Sequence, residues 1–230
     1  GECKESTMEQ HDREELAEVN AARKGFYEFL ASMYKLELTD EQIETLAKQD
    51  LPADAEYVGA GYATVKEYLR HRDAGTRQEL AVDYARVFLC AGMYEQLMAP
   101  PYESVYTSEG GLMMQEAYAE VLHVYRGAGF AKNPGFKEPE DHLAVELAFM
   151  ALLCGRAVEA LRAGDEAGAE RQLRAQREFL SDHLLNWIDA YCDCLQSCAQ
   201  TRFYRGVAKL TRGFVHMDED MMDDAAETLC

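Results

Sequence analysis

The chain predicts an all-α protein, a compact helical bundle of about eight to ten helices. Three observations in its 230 residues carry that expectation. Apolar residues recur at three- and four-residue spacing through most of the chain, no convincing strand alternation with hairpin turns is visible, and Gly and Pro gather at a few breaks. An apolar content of 48% is enough for a sizeable core.

Taken in order, a first helix over about 12–35 places Leu16, Val19, Phe26, Leu30 and Met33 on one face. A short second helix starts at Thr39-Asp40 with Asp40 as its cap, and two more cover about 53–72 and 76–90. After Cys90 comes a long irregular connection with Gly92, Pro100 and Pro101, of a length that is usually functional or mobile. A helix over about 109–128 ends near Gly127 and Gly129, and Asn133-Pro134-Gly135 makes a second break, so a hinge segment is expected near 131–141. The next helix, about 139–162, is apolar nearly all round and must be enclosed by others. The helix over about 165–196 carries a core stripe of Leu173, Leu180, Leu184, Trp187, Tyr191 and Cys194. A last helix spans about 199–215. The stretch Met217 to Cys230, with six acidic residues and no basic one, reads as a solvated, frayed tail. The expected organisation is one domain over 12–215, with an N-terminal portion of about 12–130, a C-terminal portion of about 139–215 and an acidic tail over 216–230.

The formal charge of -19 argues against nucleic acid as a partner, because phosphate binding needs clustered Lys and Arg. Basic partners are favoured instead. No hydrophobic leader is visible, and the longest apolar stretch, Leu143 to Gly155, is too short to span a bilayer and is interrupted by Glu146, so a cytoplasmic protein without an integral membrane segment is expected. Seven cysteines without regular spacing suit reduced thiols.

The most informative stretch is Glu138-Pro139-Glu140-Asp141-His142, which opens the apolar helix. Proline fits a first helical turn, and acidic residues there face the positive end of the helix dipole. If helical geometry reaches back to Glu138, then Glu138, His142 and Glu146 stack at four-residue spacing, and two carboxylates flank one imidazole and favour its protonated form. Binding would then respond to pH between roughly 6 and 8.

This pentapeptide resembles the E-P-x-D-H signature of the TorD/DmsD family, cytoplasmic chaperones that bind twin-arginine signal peptides of molybdoenzymes. Asp83-Tyr84-Ala85-Arg86-Val87-Phe88 resembles the family's D/E-Y-x-R-L-F helix, and Pro100-Pro101-Tyr102-Glu103-Ser104-Val105-Tyr106 its P-P-x-x-S-V-Y loop. His183-Leu184-x-x-Trp187 and Phe203-Tyr204 resemble later helices, so the likeness covers roughly residues 15 to 215. It implies a non-enzymatic chaperone for maturation of a molybdenum-cofactor oxidoreductase; no cofactor is expected, since the sequence shows no P-loop or dinucleotide fingerprint. Its partner is the client precursor, whose export waits until the cofactor is loaded. It also implies that Asp141 and His142 contribute to signal-peptide binding, with Glu138 and Pro139 shaping the segment. The loop adds Pro101, Tyr102, Ser104 and Tyr106 as candidates, its tyrosines offering rigid amphipathic contact area. The chaperone is expected as a monomer or a domain-swapped dimer, because the hinge joins portions that can exchange.

Rival readings remain. Glu120-Val121-Leu122-His123 has the Glu-x-x-His spacing of di-iron carboxylate bundles, but a single copy lacks the second half that such a site needs. A metal-dependent helical carboxylate protein using Glu120, His123 and His142 is therefore an alternative, as are a generic acidic adaptor and a cofactor-insertion chaperone for a non-exported enzyme. Ser181, Asp182 and His183 are adjacent on one helix and cannot converge as a hydrolase triad.

Overall fold

The computed structural model describes residues 8–50, 54–90 and 98–228. Ten helices lie among them: α1 (Gln10–Lys35), α2 (Asp40–Lys48), α3 (Gly59–Arg70), α4 (Thr76–Val87), α5 (Glu103–Thr107), α6 (Glu116–Gly127), α7 (Leu143–Ala163), α8 (Glu166–His183), α9 (Ile188–Cys198) and α10 (Arg202–Thr228). The described residues contain no strand, only an isolated antiparallel bridge between Tyr102 and His142.

Helix α7 is the enclosed element that its composition predicts. Leu143, Leu147, Met150, Cys154 and Ala157 are fully buried, with α1 along one side and α8 along another. Gly164, at a left-handed φ of 74°, ends α7, and the Asp165 carboxylate then accepts the Gly168 N–H to start α8. Across the bundle α10 packs on α3 at glycine contacts: a Cβ on Gly206 would stand 3.1 Å from the Gly61 carbonyl, and one on Gly61 would stand 2.6 Å from the Leu210 nitrogen. An aromatic cluster of Tyr34, Phe88, Tyr191 and Tyr204 joins α1, the end of α4, α9 and α10, its rings meeting edge-on. The Asp83 and Arg86 pair of the α4 motif ties this helix to the start of α10. Asp83 accepts the Thr201 N–H and hydroxyl, while Arg86 donates to both Asp83 and the Cys198 carbonyl.

Several sequence expectations are corrected. Thr39, not Asp40, caps α2, in a capping box with Gln42, because its hydroxyl accepts the Gln42 N–H while the Gln42 side chain accepts the Thr39 N–H. The long connection after Cys90 contains a helix, α5; residues 91–97 of that connection lie outside the described residues. Helix α6 begins at Glu116 rather than near 109, since Gly110, Gly111 and Met114 all take positive φ. The long helix of 165–196 is two helices. Its stripe stays buried across the break, apart from half-buried Cys194, and the Trp187 indole N–H takes the His183 carbonyl at the end of α8.

The frayed tail is the largest correction. Helix α10 continues to Thr228, with Asp218 and Met222 buried. The cause lies on α1, whose buried face is partly polar: Asn20, Arg23 and Tyr27 are covered, while Leu16, Val19 and Phe26 are half-buried. Arg23 forks onto both oxygens of Asp218, with Nη2 to Oδ2 at 2.8 Å, and also reaches Asn20 and Gln176; Tyr27 donates to Asp218 as well. Burial alone would weaken the guanidinium's hold on its proton, but the bonds and charge of Asp218 raise its pKa above the ordinary value. Removing one partner leaves the other buried and unpaired. Asp218→Ala should therefore cost about 3–5 kcal/mol in urea unfolding. A loss below about 1 kcal/mol, the range of an exposed pair, would contradict this account.

Candidate functional site

Because α7 is enclosed, its first four N–H groups have no water to turn to and need partners from the chain. Leu143 N–H donates to the Pro101 carbonyl at 2.8 Å, and Ala144 N–H to His142 Nδ1 at 3.0 Å. Val145 and Glu146 N–H groups both reach the His142 carbonyl, at 2.8 and 3.2 Å. The loop that supplies Pro101 has the same need, since α5 starts there. Asp141 answers it: its carbonyl accepts Glu103 N–H at 3.0 Å and its Oδ2 accepts Ser104 N–H at 3.1 Å. The two helix starts thus cap each other, and the Tyr102–His142 bridge lies between them.

This arrangement overturns the expected charged histidine. The helix starts at Leu143, so His142 is its N-cap and Glu138 lies outside it. The imidazole must keep Nδ1 unprotonated to accept a hydrogen bond. Burial, with Lys132 nearby, lowers its pKa from 6.5 to about 3. Its ring packs edge-on against Tyr102 and Phe136, not between carboxylates. Glu138 accepts the Tyr102 hydroxyl instead, while Lys132 pairs with Glu140 at 3.5 Å and donates to the Glu138 carbonyl.

The candidates are brought together, but mostly under cover. Asp141 and Ser104 are 0% exposed, His142, Pro101 and Tyr102 are buried, and Glu138 and Tyr106 are half-buried. Tyr106 stacks on Trp187, ring centroids 5.5 Å apart, and meets Tyr191 edge-on. Glu120 and His123 lie exposed on α6, and no group of three His, Cys, Asp or Glu side chains suited to a metal ion exists among the described residues.

Beside these caps lies a buried acidic cluster of Glu103, Asp141 and Glu146, which the spacing of Glu146 from His142 does not by itself predict. Glu103 accepts from Asn186 at 2.8 Å and meets His183 Nδ1 at 3.1 Å, which locks α5 onto the break between α8 and α9. Glu146 is fully buried with neither oxygen hydrogen-bonded, and burial beside Glu103 and Asp141 raises its pKa well above 4.5. Asp141 is also raised, by burial first and by Glu103, against the pull of its bonds to Ser104. The signal for Glu103 lay in the Pro-Pro-Tyr-Glu-Ser loop itself. That for Glu146 was the lone carboxylate inside an apolar run.

Two pH effects follow, of opposite sign. Unfolded chain protonates His142 below 6.5 but folded protein does not until about 3, so this group's stability is lost as pH falls through that window, by roughly 5 kcal/mol at 1.36 kcal/mol per unit. His142→Asn keeps a capping acceptor without a titrating ring, and its stability relative to the native chain should improve steadily from pH 6.5 to about 3 in urea titrations. A difference independent of pH would refute the neutral cap. Glu146 acts the other way, its raised pKa giving stability below 4.5 that is lost as pH rises. Glu146→Gln should raise the melting temperature at pH 8, with the gain vanishing below 4.5; no gain at pH 8 would show the carboxyl to be satisfied as an anion.

The chain is similar to known proteins over most of its length. The model of the nitrate reductase delta subunit family matches residues 51–193. The chaperone protein TorD of Photobacterium profundum is 29% identical over 215 residues, covering 89% of this chain and 96% of the relative. TorD of Psychrobacter sp. is 28% identical, covering 91% and 95%. The crystal structure of a candidate redox enzyme maturation protein from Archaeoglobus fulgidus superposes with a TM-score of 0.51 over 84% of this chain and 93% of that one, at 21% identity, and so shares the fold. With well over half its length matched, the chain belongs to the nitrate reductase delta subunit family, in which its relatives are TorD chaperones.

Proposed function

We infer that the chain is a chaperone for maturation of a molybdenum-cofactor oxidoreductase. It binds the twin-arginine signal peptide of the precursor in the cytoplasm and delays export until the cofactor is loaded. The observation that supports this reading is an exposed apolar run beside the mutual caps. Leu112, Met113 and Met114 are 59%, 44% and 56% exposed. The turn that carries them is anchored on α5, where Ser104 Oγ accepts Gln115 N–H at 3.1 Å and Ser108 Oγ accepts Leu112 N–H at 3.2 Å. Methionines adapt to varied apolar sequences, which suits a leader's hydrophobic region. In this reading Asp141, His142, Ser104, Pro101 and Tyr102 act as positioning residues that hold the turn, while half-buried Glu138 supports Tyr102 and half-buried Tyr106 packs on Trp187. The charge of -19 draws in a basic leader. No helix among the described residues is long and apolar enough to cross a membrane. The portions on either side of the 131–141 hinge work as a monomer or as a domain-swapped dimer.

Affinity capture of the tagged chain from anaerobically respiring cells, followed by mass spectrometry, tests this reading. The expected catch is a molybdoenzyme precursor with its twin-arginine leader intact. Replacing Leu112, Met113 and Met114 by Ser should lower its yield about tenfold without lowering the melting temperature, because roughly 1.4 kcal/mol of apolar contact is a factor of ten. Recovery of an oxidoreductase without a leader would turn the reading toward cofactor insertion into a non-exported enzyme. Recovery of no oxidoreductase would overturn it.

A further inference from the structure

Two thiols meet near the end of α9. Cys194 and Cys198 lie one turn apart on the same face, both are free, and their sulfurs are 3.7 Å apart. Three other segments converge on them. The Met98 carbonyl accepts from Cys194 Sγ at 3.1 Å, Arg86 of α4 donates to the Cys198 carbonyl at 2.6 Å, and Tyr106 of α5 meets Tyr191, one turn before Cys194, edge-on. With its own hydrogen given to Met98, Cys194 accepts from Cys198, so the resting pair consists of two neutral thiols. Burial first, and then Cys194, push the Cys198 thiol up to about 12, against the opposing charge of Arg86. Cys198 is buried, whereas Cys194 is half-buried and can be reached from outside. One donor at this junction is unmatched. The Tyr106 hydroxyl is buried without a hydrogen bond of good geometry, and burial followed by the Cys194 sulfur raises its pKa.

A neutral thiol is a weak acceptor and a metal-bound thiolate a strong one, so an ion held here gives the Tyr106 hydroxyl the partner it lacks. We propose that Cys194 and Cys198 form a two-thiolate site for a soft monovalent metal ion of the Cu(I) class, with the Tyr106 hydroxyl donating to the metal-bound Cys194 sulfur. The step balances without an oxidant or reductant. One Cu(I) ion displaces the two S–H protons, forms two Cu–S bonds and leaves a singly negative bis-thiolate complex. Arg86, whose charge acts on the Cys198 sulfur, offsets that negative charge. Zinc fits less well, because it takes four ligands and no third His, Cys, Asp or Glu joins the pair among the described residues. Cys192 does not serve, since it projects about 200° away from Cys194 around the helix. Soft thiolates select Cu(I), and two of them suffice for it. The site also leaves α9 intact, whereas a disulfide would need the sulfurs at about 2.0 Å. This inference is independent of the signal-peptide reading.

The test titrates the full, reduced chain without oxygen against Cu(I) held by a coloured chelator, and separately against Zn(II). Colour loss reads stoichiometry and affinity, and ultraviolet sulfur-to-copper charge transfer reads the ligands. The native chain should take Cu(I) in preference to Zn(II), with affinity rising about a hundredfold per pH unit near neutrality because two protons leave. Cys194→Ser and Cys198→Ser should each abolish the charge-transfer band. Tyr106→Phe, which keeps both thiols, should weaken binding about tenfold. A triple variant, Cys3→Ser with Cys90→Ser and Cys230→Ser, should bind as the native chain does. Loss of binding in the triple variant, or its retention when Cys194 and Cys198 are both replaced, would place the ion on other thiols and overturn the site. Preference for Zn(II), no uptake of Cu(I), or an affinity independent of pH would overturn it as well. Those last three readouts use the native chain alone, so they decide the question even if a buried Cys198→Ser variant fails to fold.

Discussion

The N-terminus of α7 is the constraint around which the rest is arranged. A helix that is apolar nearly all round can be stable only when enclosed, and an enclosed helix start leaves N–H groups that water cannot reach. The chain satisfies them from two sources, the His142 cap and the Pro101 carbonyl of a loop some forty residues earlier. That loop in turn starts α5 and depends on Asp141 for its own first N–H groups. Neither helix start is complete without the other. This explains why a proline-rich loop and an acidic pentapeptide, far apart in sequence, occur together as one unit.

The same packing fixes the protonation pattern. His142 can cap only while neutral, and burial holds it so. Glu146 sits one turn further along, where burial and the nearby Glu103 and Asp141 carboxylates raise its pKa well above 4.5. Glu103 is compensated by Asn186 and His183, which the break between α8 and α9 brings to it. A chain with nineteen excess negative charges thus keeps much of that charge outside and manages the few buried carboxylates with bonds or protons. Away from the site, the Arg23–Asp218 knot does the equivalent work for α1 and α10, converting an acidic C-terminal stretch into a packed helix.

Rigid support and presentation are divided between different residues. Most of the motif side chains lie inside and determine geometry, whereas the exposed Leu112-Met113-Met114 run carries no motif.

The sequence by itself determined the all-α class, the enclosure of α7, the stripe through Leu180, Trp187 and Tyr191, and the pairing of the pentapeptide with the proline loop as features of one family. These rest on periodicity and on local motifs, which a linear reading captures. Helix ends were less legible: Thr39 and Asp40 are both good caps, and only the reciprocal bond from Gln42 decides between them. The charge state of His142 was misread because spacing placed it among carboxylates, whereas a turn that ends at Asp141 makes it a cap. The fate of Asp218 was invisible for a related reason, since nothing near it in the chain is basic and its partner Arg23 is 195 residues away. Which polar groups are buried, and against what, is a property of the packed bundle. Only the tertiary structure decided it, because the free energy of a buried charge depends on partners that sequence neighbours do not supply.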